Sequence, residues 1–210
     1  MALHIYPQIL RRNHFLHAAG EEEMPKKKKS KPKTDKALKK IFKKHGYKDF
    51  QWIDPKKIVV SQWVRMKCTF GCGEYGRNAC CPPNVPSVPE CEKFFHEYKM
   101  AVIFRFGKKV DQPEDRHKWS KKVNMKLLKL ERAVFISGYE RAFLLFMDSC
   151  GICIDCTGDR AACKVPRSAR PSPEAMAMDV FSTVRQYGFP IEVCSDYSQE
   201  MNRYAFLLIQ

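Results

Sequence analysis

The chain has 210 residues, with 38 Lys and Arg against 23 Asp and Glu, and ten cysteines. That length is enough for one domain, or one core with a cysteine-rich lobe, so the fold does not have to rely on disulfides for its interior. Met1 to Gly20 has no sustained apolar core and no stretch reaches the roughly 20 apolar residues of a bilayer span, which argues against an export signal and a membrane helix. The expected setting is therefore a reducing cytoplasm, where clustered thiols serve metal or redox chemistry rather than structural bridges.

The charge is uneven. Residues 1–49 hold 14 Lys and Arg against 5 Asp and Glu, a net of +9 out of +15, leaving +6 for the other 161 residues. Pro25 to Lys33 (PKKKKSKPK) has nothing apolar to bury, so residues 1–33 read as a disordered basic tail and 34–210 as a single cysteine-rich domain. Such a tail can attract RNA, anionic lipid or an acidic partner through counterion release, though the plainer reading is a solvated segment. Met24 stands directly before the lysines and offers an alternative start, which would make residues 1–23 an extension.

From Thr34 the spacing of Ala37, Leu38, Ile41 and Phe42 predicts a short helix ending at Gly46. Ile58, Val59, Val60, Trp63 and Val64 predict a strand over 57–67. Pro89 opens a helix over 90–99, and 100–106 reads as an apolar strand. Trp119, Val123, Leu127, Leu130 and Val134 predict the longest helix, from Glu114 to Ser137, stopped by Gly138. The continuously apolar 141–147 reads as a central buried strand. Ser172 and Pro173 predict the cap and first turn of a helix burying Met176, Val180, Val184 and Tyr187, with strands at 191–194 and 204–209 after it. The sum is an α/β or α+β layered fold of four or five strands with two cysteine-rich metal-binding loops, each following a strand.

The second loop is the more informative. Cys150, Cys153 and Cys156 recur at CxxCxxC and Cys163 is followed by Lys-Val-Pro166, which is close to the iron–sulfur run of ferredoxins, although six residues separate the last two cysteines where that run has three. Soft thiolates select zinc, copper(I) or iron–sulfur, and structural zinc favours two separated pairs, so the reading is one [4Fe-4S] cluster on these four residues, with zinc the alternative. Arg160, Lys164, Arg167 and Arg170 stand near enough in sequence to offset the cluster's charge.

In the first loop, Cys68, Cys72 and Cys81 offer three corners of a second site, with Cys80 the weaker substitute because neighbours rarely face one metal. Three thiolates would leave one iron open to a substrate. Cys91 and Cys194 read as small buried hydrophobes, unless the fold brings one to that site. Gly71 to Gly76 formally matches a dinucleotide fingerprint, but the prolines that follow exclude the required helix. Arg77 and Asn78 are candidate anion binders, with charge balance the plainer role. The six histidines all lie outside the loops and are assigned no metal.

The stretch CTFGCGEYGRNACCPPNVP, followed by CGICIDCTGDRAACKVPRSARPSPEAMAMDVFSTVRQYGFPIEV, resembles the cysteine-rich predicted metal-binding proteins described as domain of unknown function 2284, from about Ile58 to the C-terminus. The resemblance implies metal or iron–sulfur binding in anaerobic bacteria and archaea, with ligands at Cys68, Cys72, Cys81, Cys150, Cys153, Cys156 and Cys163. Cys80, Cys91 and Cys194 fall outside that pattern, and the resemblance supplies no reaction. The functional expectation is an electron-transfer protein, or an accessory to an anaerobic enzyme, with a redox or enzyme partner. Two alternatives stand beside it. One is a zinc-stabilised module that binds nucleic acid through the lysine tail; the other is an enzyme that uses an open iron at the first loop.

Overall fold

A computed structural model describes residues 35–210 apart from 111, 197 and 198. The basic segment 1–33 lies outside the described residues. Four strands, β1 (Phe50–Ile53), β2 (Ala101–Lys108), β3 (Phe143–Leu145) and β4 (Met201–Leu208), form one antiparallel sheet in the order β1-β2-β4-β3. The C-terminal strand is thus inserted at the centre, with Ala101 opposite Leu208 on one side and Leu144 opposite Leu207 on the other.

Residues 101–104 of β2 and 204–208 of β4 are buried without alternation because both faces of the sheet are covered there. Val102, Phe104, Ala205 and Leu207 pack beneath α1 (Asp35–Lys44) and α4 (Pro113–Ile136), where Leu38, Phe42, Leu127, Leu130 and Val134 are buried. Ala101, Ile103, Phe206 and Leu208 face the other way, towards α3 (Val88–His96) and α5 (Val180–Arg185). The result is an α/β layered fold, helices on either side of a four-stranded sheet. Each large side chain buried this way contributes about 1.5–3 kcal/mol. Among the described residues no helix is long and apolar enough to cross a membrane.

Several local expectations are corrected. Residues 57–67 are not a strand: Val60 makes an isolated bridge to Met178, and Ser61 then precedes a helix, α2 (Gln62–Gly71). Of that helix only Val64 is buried, so the apolar density that suggests a strand is largely a solvent-facing stripe of Trp63, Met66 and Phe70. The first cysteine loop therefore follows a helix, whereas the second does follow a strand. That strand, β3, is short and sits at the sheet edge rather than the centre. Phe50–Ile53 adds an edge strand that its four residues announce only weakly.

The helix predicted from Pro173 begins only at Val180, where the Asp179 carboxylate accepts from the Ser182 N–H at 2.9 Å. Backbone pairing pulls the chain out of helical geometry before that point. Ser61 N–H donates to the Ala177 carbonyl, Asp179 N–H donates to the Val59 carbonyl, and Ala177 has φ 58°. Met176, Val180 and Val184 are nonetheless buried, as their spacing suggests. Residues 191–194 form no strand, because both sides of β4 are already taken by β2 and β3.

One device in this fold bears on the site. An edge strand leaves unpaired N–H groups, and α4 supplies polar side chains to β3 and its exit. Glu131 accepts from Leu144 N–H at 2.8 Å, Asn124 accepts from Met147 N–H at 3.0 Å, and the Ser120 hydroxyl bonds Asp148. Spacings of four and seven put these three residues on one face of α4. Arg170 closes the arrangement with a two-pronged bond to Glu131 at 3.0 and 2.8 Å. The chain reaches Cys150 from a fixed direction.

Candidate metal centre

Cys68 lies in the last turn of α2 and Cys72 is its C-terminal cap, so the two thiols, four residues apart, share one side of the helix. Arg65 anchors this helix by donating to the carbonyls of Pro86 and Ala175, both at 3.1 Å. Cys81 comes to the same place from the following loop. Burial, and then the charge of the neighbouring Cys68 and Cys72, pushes the Cys81 thiol up to about 12. Burial, followed by Cys72, raises Cys68 as well. Thiols that hinder one another's ionisation are a group that a bound cation would convert to thiolates.

Cys80 turns the other way. It is 5% exposed, and its thiol is hydrogen-bonded to the sulfur of Cys150. That bond raises Cys80 strongly and lowers Cys150, whose sulfur also receives the backbone N–H groups of Ile152 and Arg170. Cys163 and Arg160 act on Cys80 from the same loop. Ala79 N–H donates to Cys156 Sγ at 3.3 Å. Cys80 thus joins the second cysteine set, although its sequence position gives it the weaker claim to any site. Cys153 is half-buried on that loop.

The two loops are stapled by asparagines. Asn78 donates to the Cys150 carbonyl at 2.8 Å and accepts from Cys80 N–H at 2.9 Å. Asn84 donates to the Gly158 carbonyl at 2.7 Å and accepts from Arg160 N–H at 3.4 Å. Gly158, at φ 71°, lies so close to the other loop that a Cβ there would stand 2.9 Å from the Gly76 carbonyl, which a side chain cannot tolerate. Asn78, read from sequence as a candidate anion binder, is given over to this structural work. Asn84 is missed entirely by sequence reasoning, its only signal being an amide placed after two prolines.

The outlying cysteines separate from both sets. Cys91 is fully buried on the inner side of α3 and donates to the Pro86 carbonyl at 3.5 Å. Cys194 lines a different cavity. All ten cysteines are free thiols. The four basic residues near the second loop also divide. Arg160 and Lys164 stay with the loop, donating to the carbonyls of Pro166 and Asp155. Arg170 is committed to Glu131, and the Arg167 carbonyl merely accepts from it.

A cavity of about 300 Å³ opens beside the first set, walled by Cys68, Cys72, Cys81, Asn78, Arg116 and Glu174 among others. Burial raises the Glu174 carboxyl above its ordinary range, and it is close enough to act on both Cys68 and Cys81. The donor chemistry fits a soft metal: two thiol groups, with N–H donors on Cys150 and Cys156 of the kind that stabilise thiolate ligands. The side chains are not drawn in around a point. Among the described residues no three Cys, His, Asp or Glu are gathered tightly enough to hold a single ion.

The family model of predicted metal-binding proteins, DUF2284, matches residues 51–209. No curated protein and no solved structure matches the chain. With well over half of its length inside that match, and both cysteine sets within it, the chain belongs to the DUF2284 family of predicted metal-binding proteins.

Proposed function

We propose that the chain carries iron–sulfur clusters on its two cysteine sets and serves as an electron-transfer or accessory protein to a partner enzyme in a reducing, anaerobic cytoplasm. The observation that carries this reading is the division of adjacent cysteines, with Cys80 bonded to Cys150 in one set and Cys81 grouped with Cys68 and Cys72 in the other. Two soft donor sets built on one peptide suit electron passage better than a scaffold, for which one metal would suffice. When bound, a cluster would supply a one-electron couple whose potential responds to N–H bonds on its sulfurs. The donors in hand are Ala79 N–H to Cys156 and the Ile152 and Arg170 N–H groups to Cys150.

A partner protein is supported by apolar side chains left outside beside the cysteines. Phe70 is 83% exposed two residues before Cys72, and Ile154, between Cys153 and Cys156, is 96% exposed. Side chains of this size are usually covered when they serve a purpose. A second reading, an enzyme acting at the first set, is favoured by the cavity that reaches Cys68, Cys72 and Cys81. Anaerobic purification with iron, sulfide and zinc analysis tests the main proposal. Iron and acid-labile sulfide in equal amounts, with a paramagnetic signal on reduction, are expected. Zinc without sulfide would overturn it.

A further inference from the structure

Next to the cysteine cavity lies a second one of about 360 Å³, and Arg116 and Glu174 belong to the walls of both. Arg116 comes from the first turn of α4, while Asn202 and Arg203 come from the start of β4. The Nε of Arg116, the Nε of Arg203 and the Oδ1 of Asn202 are shielded from water and have no hydrogen-bond partner among the described residues. Buried groups left this way are uncommon, because each forfeits its hydration without recovering a bond. Neither arginine forms an ion pair among the described residues, whereas Arg77, Arg105, Arg141, Arg170 and Arg185 all do. The rest of the wall includes the apolar side chains of Val180, Phe181, Ile191 and Met201.

From this we infer that the cavity binds a small organic carboxylate, held by Arg116 and Arg203 and covered by the apolar wall. A guanidinium matches a carboxylate with two parallel bonds, and an apolar lining accepts a hydrocarbon body but not a hydrated ion. The charge of the ligand follows from the carboxylates already present. Glu192 is paired with Arg185 at 3.8 Å and Asp196 accepts from the Ser195 hydroxyl at 3.3 Å, while Glu174 lies within the field of Arg203. Set against the two arginines, these acidic groups around the cavity favour a monoanion over a dianion such as hydrogen phosphate. The size is right for a metabolite of modest length. Because Arg116 and Glu174 line both cavities, the bound molecule lies beside the Cys68, Cys72 and Cys81 group. The site itself stands whether or not that group carries a metal.

Calorimetric titration of the full chain, purified anaerobically, tests this with benzoate, its neutral analogue benzamide, and inorganic phosphate as probes. Benzoate binds, benzamide and phosphate bind at least about tenfold more weakly, and Arg116→Gln or Arg203→Gln each weakens benzoate by about tenfold with metal content unchanged. Should either variant fail to fold, Phe181→Trp, which narrows the apolar wall and keeps both arginines, is expected to weaken benzoate likewise. Absence of benzoate binding overturns the inference. So does phosphate binding more tightly than benzoate, or benzoate affinity that survives these substitutions in folded protein. Metal analysis of the same samples is read separately, so loss of the iron–sulfur reading and loss of the carboxylate site are distinguishable.

Discussion

Cys80 and Cys81 are joined by one peptide bond, yet their sulfurs belong to different groups, Cys80 against Cys150 and Cys81 against Cys68 and Cys72. The pair sits in a turn closed by Cys81 N–H on the Asn78 carbonyl at 3.1 Å, and the two side chains leave it in different directions, so a cysteine pair is a compact way to serve two sites at once. A single-residue shift of this loop would exchange their roles. The Asn78 side chain prevents that by fixing Cys80 N–H at 2.9 Å and the Cys150 carbonyl at 2.8 Å.

The two cysteines should therefore be separable by mutation. Cys81→Ala is expected to remove the metal of the first set and leave the second, whereas Cys80→Ala should perturb the set that contains Cys150. Iron, sulfide and paramagnetic resonance measured on each variant check this. Identical losses in both variants would contradict the division.

The asparagine staples give a stability prediction. Asn84→Ala removes bonds to the Gly158 carbonyl and to Arg160 N–H, and is expected to destabilise the chain by about 1–3 kcal/mol. Asn84→Asp should be little better, because the lost donor faces a carbonyl. Urea midpoints of the two variants decide the matter, and wild-type stability in Asn84→Ala would remove the staple from the account.

Glu131 is 7% exposed and binds both Arg170 and Leu144 N–H. Glu131→Ala leaves the Arg170 charge without its counterion and a strand N–H without a partner, and should cost about 3–5 kcal/mol. Replacing both partners, as Glu131→Leu with Arg170→Met, should cost less than Glu131→Ala. A denaturant series on the single and double variants reads the difference, and additive losses would speak against a coupled pair.

Tyr204 gives a pH dependence. Burial raises its hydroxyl to about 12, and the hydroxyl donates to the Pro190 carbonyl. In the unfolded chain a tyrosine ionises near pH 10 (about its ordinary value). Because the folded value is the higher, the contribution is complete below about pH 10 and disappears as pH rises through about 12. The stability gap between wild type and Tyr204→Phe should shrink over that window. A gap that stays constant to pH 12 would refute the assignment.

Long periodic segments were legible before the structure. Leu127, Leu130 and Val134 mark α4 correctly, and the cysteine spacing marks both loops. The strand read into Ile58 to Val64 failed because hydrophobicity alone does not say whether a stripe faces in or out, and here Trp63, Met66 and Phe70 face out. The helix start at Pro173 failed because a tertiary bridge, Val60 to Met178, outweighs a good local cap. The place of Cys80 could not be read at all, since it depends on two loops some seventy residues apart in sequence meeting through Asn78 and Asn84. Arg116 and Arg203 were invisible for the same reason: nothing local joins the first turn of α4 to the start of β4.

The peptide shared by Cys80 and Cys81 also bears on how the protein fills. Asn78 holds Cys80 N–H and the Cys150 carbonyl without help from Cys81, so an empty first set leaves the second one in place. Occupancy should accordingly be stepwise, with starved cells yielding half-filled chains beside empty and full ones. Native mass spectrometry during metal-limited reconstitution would display the half-filled species, and a mixture of empty and full chains alone would mean that the sets fill together.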